Sequence, residues 1–176
     1  MKLYDAPACP FCARVRLVLA EKGCGYERVL VDLSDRPDEL FALDEVGRVP
    51  VLVDGFTLPE SLAIMEYLEE RFPEPALLPS DPAGGALARL ALVRFDDLLG
   101  RDYYSLRRGG EHALDEKLER LPIGLSLFSD FGFAPWVIRL RDRLGFQLPE
   151  RLELWLTTLS ERASVAAERE VVRSLP

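Results

Sequence analysis

The stretch APACPFCARVRLVLAEKG, residues 6–23, decides the fold. It follows KLYD (2–5), a short apolar-leaning segment that reads as a strand. Pro10 sits at a first-turn position and Gly23 closes the apolar helical run, so the chain enters on a strand, turns through a loop and leaves on a helix. Cys9 lies at or beside the start of that helix and Cys12 three residues on. Three readings are open for the pair: a reaction centre, half of a metal clip, or two small core residues.

Working outward, GYERVLVDL (25–33) reads as a second strand and RPDELFALDEVG (36–47) as a short helix ending at Gly47. VPVLVDG (49–55) and FTL (56–58) form a hairpin about Asp54 and Gly55, and PESLAIMEYLEERF (59–72) an amphipathic helix. The pattern βαβαββα predicts a four-stranded mixed sheet in residues 1–75. PEPALLPSDPAGG (73–85) holds four prolines and two glycines and is expected to carry no regular element, with 76–84 a linker. From 85 to 176 the period is helical, with segments near 87–98, 112–121, 130–144 and 152–159. Residues 163–173 are charged and weakly periodic, either a helix or a frayed tail. The fold class is therefore α/β followed by an all-α domain.

The 176 residues are 48% hydrophobic and 30% charged, with a formal charge of −8, the composition of a folded domain pair. A net negative field and the absence of Lys/Arg runs interleaved with aromatics argue against direct nucleic-acid binding. The apolar runs are too short to cross a bilayer, and a strand beginning at Lys2 leaves no room for a signal peptide, so a cytoplasmic setting is expected. Three cysteines there make a disulfide framework unlikely to be the reason for them.

Zinc wants four ligands, and beyond Cys9 and Cys12 only Cys24 and the single His112 remain, not arranged as a second pair; no metal is expected. A thiol at a helix N-terminus meets unpaired N–H groups and the positive dipole end, which favour the thiolate and lower its pKa. Cys12, one turn along on the same side, is placed to attack a mixed disulfide on Cys9. Cys9 and Cys12 are thus the candidate catalytic pair, and Cys24 a packing residue. Pro50 opens the third strand; a cis bond before it would present the Val49 backbone to an extended cysteinyl substrate. Glu60 and Ser61 stand in the first turn of the next helix, either as ordinary caps or as an anion site.

CPFC on a strand-to-helix loop, then VP, then PESLAIMEYL resembles the thioredoxin-fold domain of the glutathione S-transferase superfamily followed by its helical domain, here shortened. The resemblance implies that Cys9 carries thiol exchange, as in the cysteine-type omega and glutaredoxin-like branches, with glutathione as cosubstrate and a homodimer as the assembly. It puts the backbone contact to the cysteinyl part on Val49, the cis proline on Pro50, the γ-glutamyl contacts on Glu60 and Ser61, and the glycyl carboxylate on Arg48. VRLVLAEKG (15–23), IMEYLEERFPEP (64–75), FAPWVIRL (133–140) and AERE (167–170) are similar to the stringent starvation protein A family, which implies a noncatalytic regulator that binds RNA polymerase. Pro-Glu-Pro at 73–75 departs from that family's Pro-His-Pro, and CPFC is foreign to it. Against the transferase pattern, Leu127 stands where a cap three residues before Asp130 is expected; Ser126 and Ser129 are out of step, which should loosen that helix start. Tyr103 and Tyr104 cannot both face a cleft, and Trp136 and Trp155 read as core.

Overall fold

The computed structural model describes residues 1–175. They divide into two compact units, one of Met1–Ala76 together with residues 174–175, the other of Leu77–Arg173. The first runs β1 (Lys2–Asp5), α1 (Pro10–Glu21), β2 (Glu27–Leu30), α2 (Asp38–Leu43), β3 (Val51–Val53), β4 (Thr57–Pro59) and α3 (Ser61–Arg71). The sheet order is β2-β1-β3-β4; β1 and β2 are parallel, and the β1–β3 and β3–β4 pairs antiparallel. The thioredoxin-like topology expected from βαβαββα is what the chain forms. Because side chains alternate across a strand, Tyr4 and Val51 turn to a core with Val31 and Leu40 of the α2 side, while Leu3 and Leu52 turn to the opposite face. α1 packs against α3.

Two buried ionic clusters hold this unit. Asp5, at the end of β1, receives Arg16 of α1 and Arg28 of β2, tying the first crossover together. Lys22 at the end of α1 meets Glu69 of α3 at 2.6 Å and donates to the Pro75 carbonyl at 2.7 Å, fastening the segment that leaves α3. Gly23, at φ +63°, supplies the left-handed turn that stops α1, with Cys24 N donating to the Leu19 carbonyl.

The second unit is helical: α4 (Pro82–Val93), a π-helical turn (Asp96–Gly100), α5 (Arg101–Arg107), α6 (Leu114–Glu119), α7 (Leu127–Asp142), α8 (Glu150–Leu159) and α9 (Ala163–Arg173). α7 is buried from Phe128 to Leu140 and packs against α4, α8 and α9, with the Trp136 ring tilted 53° against Phe95 at a centroid separation of 4.3 Å. Tyr103 is buried and Tyr104 partly so, in an edge contact with each other.

Several expectations are corrected here. Residues 82–85 are the first turn of α4, not loop. Pro82 occupies N1, where a missing N–H costs nothing, and Asp81 caps Gly84 N at 2.6 Å. His112 lies before α6 rather than in it. α7 is capped after all: it begins at Leu127, and the Ser126 hydroxyl accepts from Ser129 N at 3.1 Å. Asp130 turns back to accept from Gly124 N at 2.8 Å, and burial raises its pKa. Of the two readings left open for 163–173 the helix holds, with buried Glu168 against Arg139 and Arg169 bidentate on Asp142. No helix among the described residues is long and apolar enough to cross a membrane.

Candidate functional site

Cys9 is the N-cap of α1, its carbonyl accepting the first helical bond from Ala13 N at 3.1 Å. Pro10 at N1 fixes the entry to the helix without leaving a donor orphaned. The Cys9 sulfur makes no capping bond; it turns to the Val49 carbonyl, 3.7 Å away. It is only 9% exposed, and what opening it has is into a cleft.

Cys12 is fully buried behind Cys9, its sulfur accepting from Ala6 N at 3.5 Å. Burial first, and then the hydrogen bond it donates to Cys9 and the nearby charges of Cys9 and Asp5, hold the Cys12 thiol well above the ordinary range. Cys12 therefore stays protonated at neutral pH. Cys24 makes a weak bond to the Lys22 carbonyl, and no disulfide joins it to the other two.

The facing wall comes from the α2–β3 loop. Asp44, nearly buried, accepts from Arg48 N at 3.0 Å and Val46 N at 3.1 Å and meets the Arg48 guanidinium at 3.2 Å. The bond from Arg48 N, with the guanidinium and Val46 N adding to it, lowers the Asp44 pKa against the opposing effect of burial. Arg36 donates to the carbonyls of Gly47 and Val46, and the Phe41 ring lies over Gly47, so the loop is fastened at three places before it reaches the cis Val49–Pro50 bond.

The end wall is the start of α3. Glu60, its N-cap, holds φ 70° and ψ 114°, a sparsely populated conformation for a residue with a side chain. Its carboxylate pairs with Arg48 at 3.1 Å across the cleft mouth. Ser61, nearly buried, accepts from Arg14 Nη1 at 3.4 Å, and the Arg14 guanidinium lies over the Phe11 ring at 5.3 Å.

Cys9, Arg48, Val49, Pro50, Glu60 and Ser61 thus line one cleft of about 320 Å³, a size within the range of small-ligand sites. Of the residues singled out in the sequence, Cys12 alone stands outside it, reached only through Cys9. Arg36, Asp44, Leu33, Pro59 and Phe11 join the lining without having been named as site residues from the sequence. The one signal for Arg14 was its helical spacing from Leu17 and Val18, which puts a charged residue on a buried face. Among the described residues no group of three or more His, Cys, Asp or Glu side chains is placed to hold a metal ion.

Comparison with known proteins bears on the family and the fold. The glutathione S-transferase N-terminal domain family matches residues 3–76. The stringent starvation protein A homolog of Haemophilus influenzae is 40% identical over 118 residues, covering 66% of this chain and 54% of that protein. The chain spans about half the length of the starvation-protein relatives it matches. Glutathione S-transferase omega-1 of Mus musculus is 30% identical over 165 residues, covering 88% of this chain and 69% of that one. In fold, the crystal structure of glutathione transferase Omega 1C from Trametes versicolor superposes with a TM-score of 0.83 over 98% of this chain and 93% of that one, at 24% identity. With a thioredoxin-like unit, a helical unit and these relatives, the chain belongs to the glutathione S-transferase superfamily.

Proposed function

We propose that this protein is a glutathione-dependent thiol transferase acting through Cys9. The observation that carries the reading is the convergence of Cys9, the cis Val49–Pro50 backbone, Arg48, Glu60 and Ser61 on one cleft, with Cys9 at the N-terminus of α1, where backbone N–H groups supply donors. A positioned donor favours the thiolate over the thiol. In this scheme the Cys9 thiolate attacks a disulfide, a new S–S bond forms to Cys9, and the displaced sulfur leaves as a thiolate that takes a proton from water. The mixed disulfide is then opened by a second glutathione thiolate, releasing glutathione disulfide, or by Cys12, which becomes a nucleophile on losing its proton and leaves a Cys9–Cys12 disulfide. In this reading the cysteinyl backbone lies along Val49 and the γ-glutamyl carboxylate at Ser61 and the α3 N-terminus, and binding parts the Arg48–Glu60 ion pair so that Arg48 takes the glycyl carboxylate and Glu60 the γ-glutamyl ammonium. A cytoplasmic, thiol-reducing setting and a homodimer belong to the same proposal.

Calorimetric titration with S-methylglutathione, which binds without reacting, tests it. Saturable heat that is lost in Ser61→Ala is the expected result; absence of saturable heat in the unaltered protein overturns the reading. The identity with stringent starvation protein A homologs supports a second reading, a noncatalytic regulator that binds RNA polymerase. Retention of the protein on immobilised polymerase, unaffected by Cys9→Ser and without glutathione binding, would favour it.

A further inference from the structure

Arg14 is a charged side chain placed inside the molecule, only 2% exposed, on the face of α1 that packs on α3. Interior arginines are rare because taking a guanidinium from water is costly, so its position calls for a function or a set of fixed acceptors. The guanidinium lies over the Phe11 ring, 5.3 Å from its centroid, and its Nη1 donates to Ser61 Oγ at 3.4 Å. Arginine has five donors and no acceptor. A serine hydroxyl that accepts from arginine keeps its own proton to give, and Ser61 lines the cleft at the first residue of α3. The N–H groups of that first turn add their partial positive charge in the same place.

Resting on the thiol-transferase reading, we propose that Arg14 is a positioning residue for specificity: from beneath the cleft it sets the Ser61 hydroxyl as a donor and brings a buried positive charge behind it, selecting ligands with a carboxylate at the γ-glutamyl end. Arg14 does not touch the reacting sulfurs. Its effect falls on which disulfide is accepted, while attack by Cys9 on any small disulfide is left as it was. Lysine does not replace it, since an ammonium is a compact point charge without the guanidinium fork that lies over Phe11 and reaches Ser61.

The test compares two disulfides in a Cys12→Ser background: glutathione disulfide and cystinylbisglycine, which has the same cysteinyl-glycine arms without γ-glutamyl groups. The rate of Cys9 mixed-disulfide formation is followed by peptide-mapped mass spectrometry for Arg14, Arg14→Lys and Arg14→Met, with circular dichroism to confirm folding. The expected result is a preference for glutathione disulfide that falls about tenfold in Arg14→Lys, the loss of one charge-assisted hydrogen bond, while the cystinylbisglycine rate is unchanged. In a Ser61→Ala background, Arg14→Lys should lower the preference no further. If both rates fall together, or the preference survives in folded Arg14→Lys, the inference is overturned while the thiol-transferase reading stands. If the Arg14 protein itself has no preference, that reading of the cleft fails and the inference with it. Should Arg14→Met not fold, Arg14→Lys and the Ser61→Ala cycle decide alone.

Discussion

Replacing Asp44 by alanine should weaken both the fold of the first unit and the cleft. The carboxylate accepts two backbone N–H bonds, from Arg48 at 3.0 Å and Val46 at 3.1 Å, and the guanidinium of Arg48. Hydrogen bonds to a charged group contribute about 1.5–3 kcal/mol each when sheltered. Here the guanidinium is well exposed and adds little, and the two orphaned N–H groups lie on a loop open enough to rehydrate. The cost is therefore near the lower bound, about 2 kcal/mol, equivalent to a fall in Tm of about 4–8 °C for a chain of this size. Because the folded pKa of Asp44 is depressed below its unfolded value of about 3.9, the stabilisation is complete above that value and is lost as pH falls through the folded one. Thermal melts of the two proteins from pH 8 to pH 3 should differ by a constant amount down to about pH 5 and converge below about pH 4. Labelling of Cys9 by glutathione disulfide should slow in parallel, since Arg48 and Val49 lose the anchor of their loop. A Tm within 1 °C of the parent at pH 7, or a difference that grows in acid, would refute the reasoning.

Three further outcomes are expected. In Cys12→Ser, the Cys9–glutathione mixed disulfide should persist after excess disulfide is removed, whereas the parent releases it by internal attack; non-reducing mass spectrometry reads the difference. Gly132→Ala should destabilise the helical unit by about 1–3 kcal/mol in urea, because a Cβ there would overlap the Leu92 side chain where α4 and α7 meet. Glu168→Ala should cost about 3–5 kcal/mol by removing the buried carboxylate, 3% exposed, that meets the equally buried Arg139 guanidinium; the double change Arg139→Met with Glu168→Met should recover most of that in the same unfolding assay.

Topology was readable where residues act locally. Pro10 and Gly23 mark the two ends of α1, and alternating apolar residues with a glycine turn mark the hairpin of β3 and β4, so the order of the sheet followed. Misreadings fell where one residue type serves two purposes. Pro82 breaks a strand or the inside of a helix but opens one at N1, and only Asp81 before it decides which. Ser126 caps α7 in a register one step from the pattern that Asp130 led the eye to, and Asp130 is occupied with Gly124. The face that α9 buries, Val165, Glu168 and Val172, has helical spacing but was hard to see because one of its three positions is an acid, whose partner Arg139 lies about thirty positions away. At the cleft, residues in motifs were named correctly as neighbours, whereas Asp44, Arg36 and Arg14 were not, since each acts through a partner that only folding brings near.

The most direct test of the account is the pH dependence of Cys9 modification. Cys12→Ser protein is exposed briefly to glutathione disulfide between pH 5 and 9, and the modified peptide is located by mass spectrometry, with unfolded protein as the reference. The account predicts fast labelling confined to Cys9 and already evident on the acid side of neutrality. Labelling no faster than in the unfolded chain, or spread equally to Cys24, would contradict it.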